Sequence, residues 1–466
     1  MERLQAQDLM SLWPEALGWS QDIGALVILD GRGLTDADGR FRIERARDLV
    51  AGRLHLAPRF RQLLHRPAFG LGWPLWVDAP SVDLAEHVRV LPLEAPADES
   101  RLLLACEQLR ARRLDPSRPL WELWFLPGLP DGRVGLFMKL HHAIADGVAG
   151  VAALGAFVDL VPDPPATGAP RWTPAPMPSR RALLADNLRR RLGELRRAFT
   201  RLDHPVATVR RARRGWPALR EVFTQAPAPR TSVNRRVGWH RRFALVRSDL
   251  DLVKRIAHTH GGKVNDVLMA VLAGGLRELL LDRGERVDGL VLRAIVPVSL
   301  HTERPGQARG NLDGAMVVPL PVGEADDARR LELIAAETAE RKRQDHPQSG
   351  MVFRSIPIQR AFLRLAPYQP AINIYAANVP GPPVPLYFAG VPVLEVFPGV
   401  PILGNLTVGV GALSYAGQFN ITAVADRDAC PDLEVFVRGM RRSLDALARP
   451  VTAPAAAARL AGRGRS

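Results

Sequence analysis

The pattern of hydrophobic and polar positions along the chain predicts short strands mixed with helices. The runs at 24–31 (GALVILDG) and 118–127 (RPLWELWFLP) are apolar and are bounded by glycines or prolines, as strands commonly are. Residues 98–115 place apolar side chains on one helical stripe and predict a helix. Residues 241–284 predict a strand, a helix that ends at a double glycine, and a second helix that begins near Asn265.

The longest uncharged run, 396–425, has the length of a membrane span but not its composition. Pro398, Pro401 and several glycines interrupt the run, and its polar side chains would be costly in lipid. We therefore predict buried strands and turns here. The NVPGP stretch at 378–382 predicts a turn in which Gly381 adopts a positive φ.

The length of the chain predicts more than one domain. A chain of 466 residues is too long for one compact core, and its 47% of hydrophobic and 24% of charged residues are typical of a globular protein. We predict two domains with a cleft between them, separated by a proline-rich connector. The predicted units are an N-terminal domain at 1–160, the connector with a basic helix at 161–235, a C-terminal domain at 236–447 and a disordered tail at 448–466.

Positive charge is concentrated in one segment. The formal net charge is +15, and the segment 180–214 holds twelve arginines against three acidic residues. Apolar side chains recur in this segment at spacings of three and four, which predicts an amphipathic helix with an arginine-rich polar face. The apolar positions are Leu184, Leu188, Leu192, Leu195, Phe199 and Leu202.

Two interpretations of this basic helix are open. The helix either packs between the domains with its basic face in solvent, or lies on an anionic membrane surface. Nucleic acid is not an expected partner, because no aromatic-interleaved patch or known binding motif accompanies the charge.

Cysteine usage and the N-terminal residues indicate an intracellular protein. Cys106 and Cys430 are too few for a disulfide framework. The N-terminal residues lack the charged start and apolar block of a signal peptide. We expect the protein to be cytoplasmic.

The stretch 136–154 (LFMKLHHAIADGVAGVAAL) carries the candidate chemistry. Residues 134–140 predict a strand, in which neighbouring side chains point to opposite faces. His141 and His142 therefore do not converge on one metal ion, and we predict no metal site. His142 falls on the apolar face of the strand, where it is either a hydrogen-bonded core histidine or a base in a dry cavity.

The residues after the histidines favour the second alternative. Asp146 can cap a helix that begins at Gly147, and glycine lets another chain or a ligand approach the backbone closely. The sequence has no serine-nucleophile elbow, phosphate-binding loop or zinc-protease motif. If the site is catalytic, the simplest role for His142 is a general base that takes the proton of a hydroxyl as it attacks a carbonyl. The acyl donor must then arrive already activated.

The motifs together resemble a known family. HHAIADG at 141–147 fits the HHxxxDG signature of the coenzyme A-dependent acyltransferase superfamily, and further matches resemble its bacterial wax ester synthase/diacylglycerol acyltransferases. These matches are DLAEHV at 83–88, PLW at 119–121, VNDVLMA at 264–270, PVS at 297–299, GN at 310–311, NVPGP at 378–382 and SYAGQFNITAVADRDACPD at 414–432. Their order and spacing extend the resemblance over roughly residues 5 to 445.

The resemblance implies an architecture and a set of substrates. It implies an α/β fold of two chloramphenicol-acetyltransferase-like domains with mixed sheets and an interdomain tunnel. Acyl-CoA would enter the tunnel from one side, and diacylglycerol or a long-chain alcohol from the other. No cofactor is expected, since acyl-CoA is itself a co-substrate.

The resemblance also assigns roles to residues of the HHxxxDG motif. His142 would be the base, with His141 beside it in the same motif. Asp146 would hold the loop in shape, and Gly147 would keep the channel open near the thioester.

A second motif is implied to lie opposite the histidines. Asn265 and Asp266 match the family's ND motif and would line the site across from His142. A side-chain amide there could donate a hydrogen bond to the developing oxyanion.

Three functions are open on this evidence. The first is an acyl-CoA:alcohol O-acyltransferase that makes triacylglycerol or wax ester. The second is an acyltransferase for another lipid or a carrier-bound acceptor, and the third is a non-catalytic lipid-binding protein. Peripheral contact with the inner face of a membrane or with lipid droplets would suit a lipid substrate.

Overall fold

The computed structural model describes residues 2–4, 9, 11–144, 155–165, 168–202, 227–298, 314–343 and 356–463. The strands are β1 (Glu2–Arg3), β2 (Asp22–Asp30), β3 (Gln62–His65), β4 (Leu75–Asp78), β5 (Val88–Val90), β6 (Trp121–Pro127), β7 (Arg133–His141), β8 (Arg241–Asp249), β9 (Val291–Val298), β10 (Gly314–Pro321), β11 (Ile374–Pro380), β12 (Tyr387–Phe388), β13 (Val391–Gly399), β14 (Val408–Tyr415) and β15 (Gln418–Asp426). The helices are α1 (Trp13–Ala16), α2 (Ile43–Arg53), α3 (Leu84–His87), α4 (Glu99–Ala111), α5 (Arg180–Leu202), α6 (Leu250–Thr259), α7 (Val264–Asp282), α8 (Asp327–Arg343), α9 (Ile356–Leu365) and α10 (Leu433–Arg463).

One six-stranded sheet is built mainly from the N-terminal part of the chain. Its strand order is β12-β13-β2-β7-β6-β5, and all neighbours are antiparallel except β5 and β6. β12 and β13 come from residues 387–399 and pair through β13 with β2. The C-terminal part of the sequence thus completes the N-terminal sheet, and these two strands cross the predicted division into domains at 1–160 and 236–447.

A second six-stranded sheet has the order β10-β9-β11-β14-β15-β8. β11 runs parallel to both of its neighbours, and the other pairs are antiparallel. Helices α7 and α10 cover one face of this sheet, where Leu272, Leu276, Phe436 and Met440 are buried in one core. Two mixed sheets with helices packed on them confirm the predicted α/β fold.

A separate apolar core joins the two sheets. Leu26 and Phe137 of the first sheet pack in one cluster with Phe243 and Val424 of the second. Phe397 of β13 belongs to the same cluster. The two sheets therefore share buried surface, which fixes how they lie against each other.

The predicted elements outside the connector are largely confirmed. The apolar runs near the N-terminus form β2 and β6, and the predicted helix at 98–115 is α4. The uncharged run at 396–425 forms the end of β13, all of β14 and most of β15, as buried strands and turns. None of the helices in the described ranges is long and apolar enough to cross a membrane.

The NVPGP stretch differs from its prediction. Asn378 lies inside β11, which ends at Pro380, and Gly381 is not among the residues with positive φ. A Cβ atom at Gly381 would lie 2.3 Å from the carbonyl oxygen of Ser414. The position requires glycine because β14 passes close to it, not because of a left-handed turn.

The predicted disordered tail at 448–466 is largely helical. Helix α10 continues to Arg463. Pro450 and Pro454 remove backbone donors from the helix, but the alanines at 455–458 have the highest helix propensity of any residue type.

Candidate active site

Strand β7 presents alternate side chains to two different compartments, as the sequence predicts. Met138 and Leu140 line a cavity between the two sheets, and His142, directly after the strand, lines the same cavity. Phe137 and Lys139 point to the opposite face of the sheet. The alternation therefore separates His142 from the residues that support the strand from behind.

His142 directly follows β7 and is held there by backbone and side-chain contacts. Its backbone N–H donates to the carbonyl oxygen of Gln21, with an N···O distance of 2.9 Å. Its ring Nδ1 lies 3.2 Å from the hydroxyl oxygen of Ser11. The side chain is partly exposed, which fits a residue that reaches into a cavity.

His141 occupies a different environment from His142. It is 2% exposed, and its Nδ1 accepts a hydrogen bond from the backbone N–H of Ala143 at 3.0 Å. Its Nε2 lies 3.2 Å from the carboxylate of Glu15. These contacts let His141 hold the turn after β7 in shape.

The Glu15 carboxylate is suited to face an imidazole. Burial raises its pKa, but the hydrogen bond and charge of His141, together with the charges of Arg66 and Arg113, outweigh burial and lower the pKa overall. The carboxylate therefore stays ionised near neutral pH. Because Nδ1 of His141 accepts from the N–H of Ala143, Nε2 is the ring nitrogen that faces Glu15 with a proton.

The cavity beside His142 has a volume of about 400 Å³. This is within the range of small-molecule sites in proteins. Strands of both sheets enclose it, and most of its side chains are apolar. Among the lining residues are Ile23, Ala25, Met138, Leu140, Ala377, Val379, Leu386, Val396, Val400 and Leu413.

Glycines in the wall let the strands approach closely. A Cβ atom at Gly24 would lie 1.8 Å from the carbonyl oxygen of Met138. One at Gly411 would lie 2.7 Å from a methyl carbon of Val400. Larger residues at either position would push β2 or β14 away from its neighbours.

Among the residues that the structure describes, three polar residues besides His142 line the cavity, and sequence reasoning did not assign them to the site. They are Tyr375 and Asn378 of β11 and Tyr415 of β14. Burial raises the pKa of Tyr375 to about 12, so this phenol stays protonated at neutral pH. Tyr415 is used structurally, since its hydroxyl donates to the carbonyl oxygen of Val393 and accepts from the N–H of Leu386. The NVPGP motif was the available signal for Asn378.

Asn265 and Asp266 lie at the start of α7, as predicted, but not in the lining of this cavity as the described residues define it. The carboxylate of Asp266 is 3% exposed and accepts from the N–H of Lys263 and the hydroxyl of Thr338, each at 2.8 Å. Asp266 therefore caps the helix and ties α7 to α8. The oxyanion role for the ND motif stays a prediction.

We expect Asp266→Ala to lower the free energy of unfolding by about 2 kcal/mol, because it removes the helix cap at the Lys263 N–H and the buried hydrogen bond from Thr338. Thermal or urea unfolding measures the loss. The matched control is Asp251→Ala, whose carboxylate is exposed and contacts Lys254. A large loss of activity with an unchanged unfolding midpoint would contradict the structural role.

Other candidate groups are placed as follows. Asp146 and Gly147 lie outside the described residues, so their predicted roles stay predictions. Cys106 and Cys430 are buried, and burial raises the pKa of both thiols, that of Cys430 to about 12. Neither thiol is therefore a nucleophile at neutral pH.

Two mixed sheets enclose an apolar cavity, and a strand-end histidine of the HHxxxDG motif lies at its wall, as the resemblance to chloramphenicol-acetyltransferase-like acyltransferases implies. Family models match most of the chain. Residues 4–268 match the wax ester synthase/diacylglycerol acyltransferase catalytic domain, and residues 309–448 match the WS/DGAT C-terminal domain. The chain belongs to the wax ester synthase/diacylglycerol acyltransferase family and is an acyltransferase.

Named relatives and solved structures agree with this family. "Probable diacyglycerol O-acyltransferase tgs1" of Mycobacterium tuberculosis strain H37Rv is 31% identical over 92% of this chain and 91% of that protein. The wax ester synthase/diacylglycerol acyltransferase of Marinobacter aquaeolei VT8 superposes with a TM-score of 0.70 at 24% identity, covering 96% of this chain and 98% of that one. A starter condensation domain of rhizomide synthetase in complex with C8-CoA has a TM-score of 0.54 at 15% identity, covering 96% and 95%. The two solved structures establish the similarity of fold.

Proposed function

We propose that this enzyme transfers a long-chain acyl group from acyl-CoA to the hydroxyl of diacylglycerol or of a long-chain alcohol, with His142 as general base. The observation that carries the proposal is the position of His142 in the wall of a largely apolar cavity of about 400 Å³ between the two sheets. Such a cavity suits an acyl chain, and one basic side chain in it suits proton transfer.

We assign the proton transfer to Nε2 of His142, because Nδ1 lies against the hydroxyl of Ser11. With a proton on Nδ1 directed at the Ser11 oxygen, Nε2 is the acceptor. Nε2 takes the proton of the alcohol as the alcohol oxygen attacks the thioester carbonyl. The tetrahedral intermediate then collapses, the carbon–sulfur bond breaks, and the thiolate of CoA takes the proton back from the imidazolium. No acyl-enzyme forms, and acyl-CoA is the only co-substrate required.

The oxyanion of this intermediate needs a hydrogen-bond donor. The protonated phenol of Tyr375, which lines the cavity, can supply one. The predicted donor in the ND motif, Asn265, would require the substrate to extend towards the start of α7.

The fold supports one route for the substrates. We propose that the cavity is the central section of a tunnel that acyl-CoA enters from one side and the alcohol from the other. The condensation domain that shares this fold was solved with C8-CoA, which supports the use of the fold for acyl-CoA. The named relatives favour diacylglycerol as the acceptor. With such an acceptor, we propose that the enzyme works at the inner face of a membrane or on lipid droplets.

The test is CoA release from palmitoyl-CoA by the purified protein, with diacylglycerol, hexadecanol or no acceptor. We expect release that depends on the acceptor and is faster with diacylglycerol. Release with hexadecanol alone would make the enzyme a wax ester synthase. Absence of release with either acceptor would overturn the proposal and favour another lipid acceptor, a carrier-bound acceptor or a lipid-binding protein.

A further inference from the structure

Helix α5 turns an apolar stripe away from the body of the protein. Leu184, Leu188, Leu192 and Leu195 are 46%, 51%, 58% and 54% exposed. Their spacings of four, four and three place them on one face of the helix. The sequence predicts this stripe correctly, and of its two interpretations the structure disfavours the one in which the stripe packs on the protein.

The opposite face attaches the helix to the N-terminal part of the chain. Leu183 is 3% exposed and packs in a small apolar cluster. The side-chain amide of Asn187 donates to the carbonyl oxygen of Gly70 at 2.8 Å, and Asp186 forms an ion pair with Arg3. These contacts fix which face of α5 is presented to solvent.

Cations flank the exposed stripe on both sides. Positions 180–196 contain six arginines and two acidic residues. At 100° per residue, Arg189 and Arg196 lie along one edge of the stripe, and Arg180 and Arg191 along the other. All four are exposed.

An exposed aromatic side chain lies beside the helix. Phe69 is 107% exposed relative to a free residue, and it directly precedes Gly70, the acceptor of the Asn187 amide. The guanidinium of Arg190 also lies 5.9 Å from the ring centre of Trp73 in the same loop. The loop with Phe69 therefore lies against the attached side of α5. We call the exposed leucine stripe with its flanking arginines the α5 surface.

We propose that the α5 surface binds anionic phospholipid bilayers. Leucines that enter the acyl region, with arginines at the level of the headgroups, are what an interfacial helix requires. The flanking arginines disfavour a second copy of this chain as the partner, because two such surfaces would bring like charges together. This proposal rests on the proposed function only for the purpose of membrane binding, which is to bring the cavity to a lipid alcohol. Membrane binding itself does not require catalysis.

The experiment is co-sedimentation of the full chain with vesicles of phosphatidylcholine alone or mixed with phosphatidylglycerol. We expect wild type to bind the mixed vesicles, to bind the neutral ones much less, and to be released by salt. A Leu188→Ser/Leu192→Ser double variant should bind at least about tenfold more weakly. The matched control is Leu104→Ser, on α4, which is 51% exposed and should bind like wild type.

Two further variants distinguish loss of electrostatic attraction to the membrane from loss of catalysis. Arg189→Glu/Arg196→Glu should lose the preference for anionic vesicles while keeping its unfolding midpoint. His142→Ala should bind vesicles like wild type, so that loss of catalysis and loss of membrane binding are independent results. Unchanged binding by the leucine double variant, or equal binding to neutral and anionic vesicles, would overturn the proposal. So would dimerisation of wild type that the leucine double variant abolishes.

Discussion

We expect His142→Ala to release CoA about 10²- to 10⁴-fold more slowly than wild type at saturating acceptor, because general-base catalysis contributes a factor of this size. The change removes the ring that takes the alcohol proton but leaves β7 and its pairing with β2 unchanged. Steady-state release of CoA from palmitoyl-CoA measures the loss. Binding of acyl-CoA should change little, so the effect should fall on kcat and not on KM.

The matched control for this loss is the same substitution at an exposed histidine. His258 lies on the outside of α6, and His258→Ala should retain wild-type activity. His141→Ala should instead lower the unfolding midpoint, because the N–H of Ala143 loses its acceptor. A His142→Ala enzyme as active as wild type would end the assignment of this residue as the base.

The second large effect is expected from filling the cavity. Ala377 lines it from β11, so Ala377→Phe should place a ring where an acyl chain would lie. We expect kcat/KM for palmitoyl-CoA to fall by at least about tenfold, while that for butyryl-CoA stays close to wild type. A series of acyl-CoA lengths with one acceptor measures where the loss begins.

Ala377→Ser is the control for any change at this position, and it should accept every chain length that wild type accepts. Equal loss for short and long acyl-CoA in the phenylalanine variant would mean that the ring distorts the catalytic site itself. If the loss followed the length of the alcohol instead, the cavity would hold the acceptor chain.

Short-range patterns in the sequence correctly predicted single helices and strands and the faces on which their side chains lie. Strict alternation along β7 placed His142 on the apolar face with Met138 and Leu140, and the cavity lies there. Helical spacing predicted α5, and the double glycine marked the end of α6, where Gly261 has a positive φ of 66°. Each of these depends on residues a few positions apart.

Features that depend on distant residues could not be predicted in this way. Nothing near 378–382 in the sequence shows that Asn378 would line the cavity, because its neighbours there come from both sheets. The outward direction of the leucines on α5 likewise depends on contacts of Leu183 and Asn187 with a loop more than a hundred residues earlier. The ND motif was expected to line the site, and only the contact of Asp266 with Thr338 reveals its structural role.

The pairing of β13 with β2 has a consequence for the integrity of the enzyme. If the chain were divided at the proline-rich connector, the N-terminal fragment would lack β12 and β13 and would present β2 as an open sheet edge. Unprotected edges of this kind recruit other strands and lead to aggregation. β13 also supplies Val396 and Gly399 to the cavity wall, so neither fragment would hold a complete chamber. The cavity is therefore formed jointly by both halves of the chain, and we expect neither half alone to fold into an active enzyme.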